Sequence, residues 1–411
     1  MIFLPLGTEQ KPKRTPYLTL SIIGLNLLVY LYLNSLDHEE LHATILFFGY
    51  SPINPIIVGL ITSQFMQVDL DHLLGNMIFL WTFGAYLETV VSQKRFLFYY
   101  LGAGVAGSLL STLLVLIFLP EIIDRPAIGA SGAISGLMGA WIVRCYYNKV
   151  KLGVSLFDIF GWLPKRLKIS PWILIGYYFG GDIYGGLCNL DNPHCYIGYW
   201  DHVGGLLFGV AMTWHYREHW KAQLDHCRVR ARYWLGQGIG FNQVRQDLET
   251  VIARDPKDAW SLLDLARVES RYERGRKGRE LYRRAVLTFW KLNEKGQAAY
   301  VFAEYFRKYL EVSFGLMPFA ICRELIRVGE DEVAARALEQ FIKERTASST
   351  GLNHPRLEAA YVMLGNLFAN RLHAPVAAER CLAEYLQRFP AGWLRETADQ
   401  ILELLRKAPA A

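Results

Sequence analysis

The sequence predicts an all-α protein, a bundle of six transmembrane helices over residues 1–216 followed by a soluble α-helical repeat array over residues 217–411. Three observations carry that expectation. The first half holds long apolar runs broken by short polar pieces. Lysine and arginine fall in alternate connections between those runs. After His215 the apolar residues recur at amphipathic helical spacing in short paired segments. The length of 411 residues allows two or three domains, and the overall balance of +6 averages two unlike halves.

A membrane span needs about 20 mostly apolar residues. Six intervals qualify, at 17–36, 72–91, 96–119, 130–147, 169–187 and 201–216. The interval 41–66 is apolar too, but Pro52, Pro55 and several polar residues interrupt it, and it reads as a surface or re-entrant piece. The start, MIFLPLGTEQKPKR, lacks a small-residue cleavage site, so the first apolar run reads as a span that stays.

Orientation follows from Lys and Arg beside the spans. Lys11, Lys13 and Arg14 precede the first, and Lys94 and Arg95 separate the second from the third. Lys149, Lys151, Lys165, Arg166 and Lys168 separate the fourth from the fifth, and Arg217, Lys221 and Arg228 follow the sixth. Stretches 37–71 and 188–201 carry no Lys or Arg, and 120–129 carries Arg125 alone. Both termini are therefore expected in the cytoplasm, with a bacterial inner membrane as host.

Polar groups inside spans are costly and mark function or a paired site. DLDHLLGN puts His72 and Asn76 four apart, on one helix face at the start of the second span. GASG puts Ser131 at the start of the fourth, and WDHVGG puts His202 at the start of the sixth. These three spans run in the same direction, so their first turns share one layer below the outer surface. A serine hydroxyl needs a base, which His202 can be. An oxyanion needs preorganised donors, which His72, Asn76 and the Ser131 backbone N–H at a helix N-terminus can be. No carboxylate is evidently placed to orient His202, and Asp201, on another side of the helix, reads as a solvated or capping residue. The arrangement expected is a Ser–His dyad.

With these motifs the chain resembles the rhomboid intramembrane serine proteases. The resemblance rests on HLLGN at 72–76, Glu88, GASG at 129–132, Asp182 in the fifth span and HVGGLLFG at 202–209. It implies a six-helix core and cleavage of membrane-anchored proteins in or near their transmembrane segments. It makes Ser131 the nucleophile and His202 the base, with His72 and Asn76 in the oxyanion hole. Two positions depart from the family pattern. Gln67 stands where many members have a second histidine, and can still donate to the oxyanion. Ser135 stands where many have a ring packing on the catalytic histidine, a role Trp200 can take. Asp182 reads as a bond to backbone of a neighbouring helix or as a group that tunes the site.

Gly129, Gly132, Gly205 and Gly209 read as packing positions, the last two bringing the sixth helix onto the fourth. Gly102, Gly104 and Gly107 spell GxGxxG inside an apolar span with no strand before it, which excludes a dinucleotide site. The six cysteines show no metal spacing, and neither metal nor cofactor is expected. Cys188 and Cys195 flank one loop and can pair in an oxidising compartment.

In the second half, Leu262, Leu265, Ala266, Gly278, Tyr282 and Ala285 fit the tetratricopeptide pattern. Tyr361, Leu364, Gly365, Phe368, Ala377 and Pro390 fit it better. The resemblance implies a protein-binding surface; the other reading is a helical appendage that only stabilises the membrane half. Basic residues here interleave with acidic ones, which argues against nucleic acid. WKAQLDHCRVRARYW, just past the last span, can lie on an anionic leaflet. The partners expected are the bilayer, single-pass membrane substrates and a protein at the helical domain. The reading from another class is a catalytically silent adaptor that holds transmembrane helices.

Overall fold

A computed structural model describes the chain except residues 1, 54–56, 68, 156–161, 191, 193–197, 273–274, 313–316, 348–355 and 408–411. It divides into two compact units, Met1–His226 and Cys227–Ala411. Each is mainly helical.

In the first unit, helices fall in each of the six apolar intervals. They are α1 (Tyr17–Leu33), α4 (Leu70–Val90), α5 (Gln93–Phe118), α6 (Ser131–Arg144), α7 (Pro171–Cys188) and α8 (Tyr199–His215). Two of them, α4 and α5, are long and apolar enough to cross a membrane by length and composition; α1 is a shorter apolar helix. The interrupted interval forms α2 (His38–Phe48) and α3 (Ile57–Thr62), then a 3-10 turn at Ser63–Phe65. Large apolar side chains such as Leu28, Leu113, Ile173 and Tyr184 stay exposed around these helices.

The helical expectation holds, and one small sheet adds to it. β1 (Ile2–Thr8), β2 (Val150–Ser155) and β3 (Trp162–Ile169) form an antiparallel sheet in the order β1-β2-β3. Thr8 lies opposite Val150 in the first pair, and Val150 opposite Ile169 in the second. Val150 and Leu152 are buried while Lys151 between them is not, a period of two hidden among basic residues. Pro5, without an N–H, sits on an outer strand, where a missing donor is tolerated.

The centre of the unit is α6, packed between α5 and α8. Glycine makes the approach possible. A Cβ on Gly205 would lie 2.1 Å from the Gly132 carbonyl oxygen, and one on Gly209 would lie 1.9 Å from that of Gly136. Gly107 and Gly104 act likewise on α5, toward the Asp201 backbone and the Gln64 side chain. Two anchors fix the frame. Pro16 at the start of α1 offers no side-chain cap. Instead the buried Glu88 carboxylate of α4 accepts from Leu18 N (3.0 Å), Thr19 N (2.8 Å) and the Thr19 hydroxyl (2.8 Å). At the far end of α6, Arg144 donates to Asp225 at 2.7 Å and lies 3.2 Å from Glu218, all three nearly buried. A cation at a helix C-terminus also suits the dipole.

The second unit is a run of helices, each packed mainly on the next. They include α10 (Phe241–Arg254), α11 (Ala259–Tyr272), α12 (Arg276–Lys291), α13 (Lys295–Tyr309), α16 (Leu357–Asn370) and α17 (Pro375–Arg388). α9 (Glu218–Gln237) supplies its first residues. Leu262, Leu265, Ala266, Tyr282 and Ala285 are in the core, as are Tyr361 and Leu364. A Cβ on Gly365 would meet Leu382 of the following helix at 2.5 Å.

Candidate functional site

The chain enters α6 through Gly129, whose φ of +137° is closed to ordinary side chains. Its N–H donates to the Ser63 carbonyl at 2.9 Å, tying the loop to the 3-10 turn. No side chain caps α6. Helix geometry leaves its first amides, that of Ser131 among them, without intrahelical acceptors. Ser131 is the first residue of the helix, so its hydroxyl and its N–H sit together at the positive end of the dipole.

His72 approaches the same point from α4. A Cβ on Gly129 would lie 3.5 Å from His72 Nε2 and 3.7 Å from Ser131 Oγ. The start of α4 is fixed by Asp69, which accepts from the His72 N–H at 2.8 Å. An open cavity of about 710 Å³ is lined by Ser131, His202, His72 and Asn76, with Gly129 and Gly132 in its wall. The four polar residues singled out in the apolar runs thus line a single cavity.

His202 lies in the first turn of α8. Its Nδ1 is 3.1 Å from Asp182 Oδ1 on α7. Asp182 is an acceptor, so Nδ1 carries the proton and Nε2 is left with the lone pair a base needs. Two expectations are corrected here. A carboxylate does orient His202, and Asp182 bonds the histidine ring rather than backbone. Twenty residues separate them, and a contact between helices of unknown rotation leaves no spacing signal.

Asp201 is corrected as well. Half-buried and among the residues that line the cavity, it accepts from the Ser111 and Ser108 hydroxyls of α5. Trp200 packs against Gly186 of α7, where a Cβ would lie 2.9 Å from its ring. Ser135 is half-buried on α6.

A buried amide chain supports the other side. Asn76 Nδ2 donates to Gln67 Oε1 at 2.7 Å, Gln67 Nε2 to Asn26 Oδ1 at 2.7 Å, and Asn26 Nδ2 to the Ile22 carbonyl at 2.9 Å. Gln67 therefore holds Asn76 in place and is not among the cavity-lining residues. Asn26, fully buried, was missed by sequence reasoning, although an amide inside an apolar span is the signal that flagged the others. Cys195 lies outside the described residues, and its pairing with Cys188 with it.

Chemically, the cavity joins a hydroxyl, an oriented imidazole with a basic nitrogen, and donors from a helix N-terminus, a histidine and an amide. That set suits acyl transfer to serine.

Comparison with known proteins gives the same direction. Residues 56–219 match the family model of the rhomboid domain. The chain is 28% identical over 225 residues to Rhomboid protease GluP of Bacillus subtilis, covering 50% of this chain and 38% of that protein. It is 28% identical over 162 residues to Rhomboid protein 1, mitochondrial, of Saccharomyces cerevisiae, covering 38% and 41%. It is 25% identical over 207 residues to Rhomboid-like protein 11, chloroplastic, of Arabidopsis thaliana, covering 50% and 68%. The chain thus spans about two fifths of the length of the first two relatives.

Proposed function

The chain belongs to the rhomboid family through the domain at residues 56–219, and from that premise we propose that it is an intramembrane serine endopeptidase cutting membrane-anchored proteins in or near their transmembrane segments. The observation that carries this reading is the meeting of Ser131, His202, His72 and Asn76 at one open cavity, with His202 held by Asp182.

In the proposed reaction His202 Nε2 takes the Ser131 proton as Oγ attacks the scissile carbonyl. The resulting oxyanion sits among the Ser131 N–H, His72 and Asn76. The imidazolium, steadied by Asp182, returns the proton to the leaving amine, and an acyl-serine remains. Water entering from the outer side then gives up a proton to Nε2 and attacks the ester, and the proton returns to Ser131 as the carboxylate leaves. Asp182 is a positioning residue, so the unit works as a triad rather than the dyad expected from sequence.

The same proposal takes the six apolar helices as six spans, with both termini cytoplasmic and a bacterial inner membrane as host. It takes residues 217–411 as a cytoplasmic tetratricopeptide-like domain that binds a protein partner; the stacking of successive helices with Gly278 and Gly365 at close contacts favours it. Purified protein in liposomes is expected to cut a panel of single-pass reporters, and Ser131→Ala and His202→Ala to leave them intact. Reporters left whole by the parent, while a known rhomboid protease cuts them, would favour the silent adaptor. Gln67 and Ser135 are the observations on that side, since both depart from the protease pattern.

A further inference from the structure

The proposed reaction makes no use of an arginine-lined cleft in the second unit. Arg232 and Leu235 of α9 form one wall of this open cavity of about 720 Å³, and Trp260, Asp264, Arg267 and Arg271 of α11 form the other. The three arginines differ in their commitments. Arg267 forks onto Glu304, Nε to Oε1 at 2.9 Å and Nη2 to Oε2 at 2.8 Å. Arg232 is 62% exposed, and its Nε is 4.0 Å from Asp264. Arg271 is exposed and lies over the Phe241 ring, 4.9 Å from its centroid.

Asp264 forms the floor, with its side chain 14% exposed. Its distances of 3.5 Å to Arg267 and 4.0 Å to Arg232 exceed those of a charge-assisted hydrogen bond. Burial raises its carboxyl above the usual range, and the two arginines only partly oppose that. With Arg267 committed to Glu304, the lining leaves Arg232 and Arg271 against the single carboxylate of Asp264, a net positive charge. Trp260 is 41% exposed, and its ring is held edge-on to Phe289 at 5.1 Å.

We propose that this cleft docks an acidic, extended peptide segment of a partner protein, with carboxylates on Arg232 and Arg271 and an apolar side chain on Trp260. Charge complementarity and the planar fork of each guanidinium select carboxylates. Asp264 and Glu304 behind the arginines disfavour a dense polyanion such as nucleic acid. A peptide spaces its charges and carries apolar groups beside them, which matches Trp260 at one end of this α11 face with Arg232 and Arg271 farther along it.

The test uses the full chain carrying Ser131→Ala in neutral detergent, so that its outcome is separate from that of the protease reading. The probe is a fluorescein-labelled octapeptide of alternating Glu and Leu, followed by anisotropy, with a Lys and Leu peptide as control. Saturable binding of the acidic probe is expected, weakened about tenfold by Arg232→Glu or Arg271→Glu, a loss of about 1.4 kcal/mol. Asp264→Asn is expected to tighten it, a gain that misfolding cannot produce. Absent binding, equal binding of the Lys peptide, or indifference to all three substitutions would overturn the proposal. Binding of short-chain phosphatidylglycerol with the same arginine dependence, and none of the acidic peptide, would overturn it in favour of a lipid headgroup.

Discussion

Asp182 and His202 meet across two helices, Oδ1 to Nδ1 at 3.1 Å, with each side chain only about one fifth exposed. That contact decides which ring nitrogen keeps its lone pair, and in the proposed reaction it poses His202 toward Ser131. Asp182→Asn should preserve the fold and leave KM for a reporter nearly unchanged. It should lower kcat by roughly 10²–10⁴-fold, the usual worth of a correctly posed acid–base group. Steady-state kinetics in liposomes checks this, and a kcat within about twofold of the parent would remove Asp182 from the account.

The helix seam gives a stability prediction with an internal control. Gly209→Ala puts a methyl 1.9 Å from the Gly136 carbonyl oxygen, whereas a Cβ on Gly176 of α7 meets nothing within 4 Å. The first substitution should cost about 1–3 kcal/mol by overpacking. The second should be neutral or gain up to about 1 kcal/mol from lost backbone entropy in the unfolded chain. Thermal unfolding in detergent separates them, and equal effects would contradict the close α6–α8 approach.

Glu88 caps a helix from a distance. Glu88→Ala leaves the Leu18 and Thr19 amides and the Thr19 hydroxyl without the acceptor they now share. The loss should be about 1–3 kcal/mol and local to the entry of α1. Limited proteolysis should cut near residues 14–19 faster in the variant. Unchanged protection there would sink the capping role.

The second unit should fail in alkali. Tyr282, Tyr305, Tyr361 and Tyr385 donate to Glu304, Glu311, Glu384 and Glu358. Burial, then the neighbouring carboxylate, raises each phenol, that of Tyr385 to about 12 and the others further. A phenol raised in the folded state keeps its proton there, so its contribution is complete below the unfolded value of about 10 and is lost as pH climbs above it. The urea midpoint should fall from about pH 10 upward, less steeply in Tyr282→Phe and Tyr361→Phe. A flat midpoint up to pH 11.5, or a fall of equal slope in the variants, would contradict this (about 10 being the reference value).

The helices of the first unit were legible because apolar length and Lys/Arg alternation are one-dimensional signals. Ser131, His202, His72 and Asn76 were legible because each is a polar residue near the start of an apolar run. The sheet was not, since β1 and β2 are short and distant in sequence, and β3 mixes Lys165, Arg166 and Lys168 with its apolar residues. Asp182 and Asp201 both depart from the roles expected of them for one reason. Helix rotation decides which carboxylate faces the imidazole, and rotation follows from the Gly132–Gly205 and Gly136–Gly209 contacts rather than from spacing. Gln67 could be seen to stand at a histidine's position, but its partner Asn26 comes from another helix.

The most direct measurement of the central claim is the labelling of Ser131 by a fluorophosphonate probe, read by mass spectrometry of the adduct on the folded protein. An activated nucleophile predicts an adduct on Ser131, strongly reduced in Asp182→Asn and absent in His202→Ala. A folded parent with no adduct at Ser131, or one that forms equally well without His202, would contradict it and leave a rhomboid fold that binds without cutting.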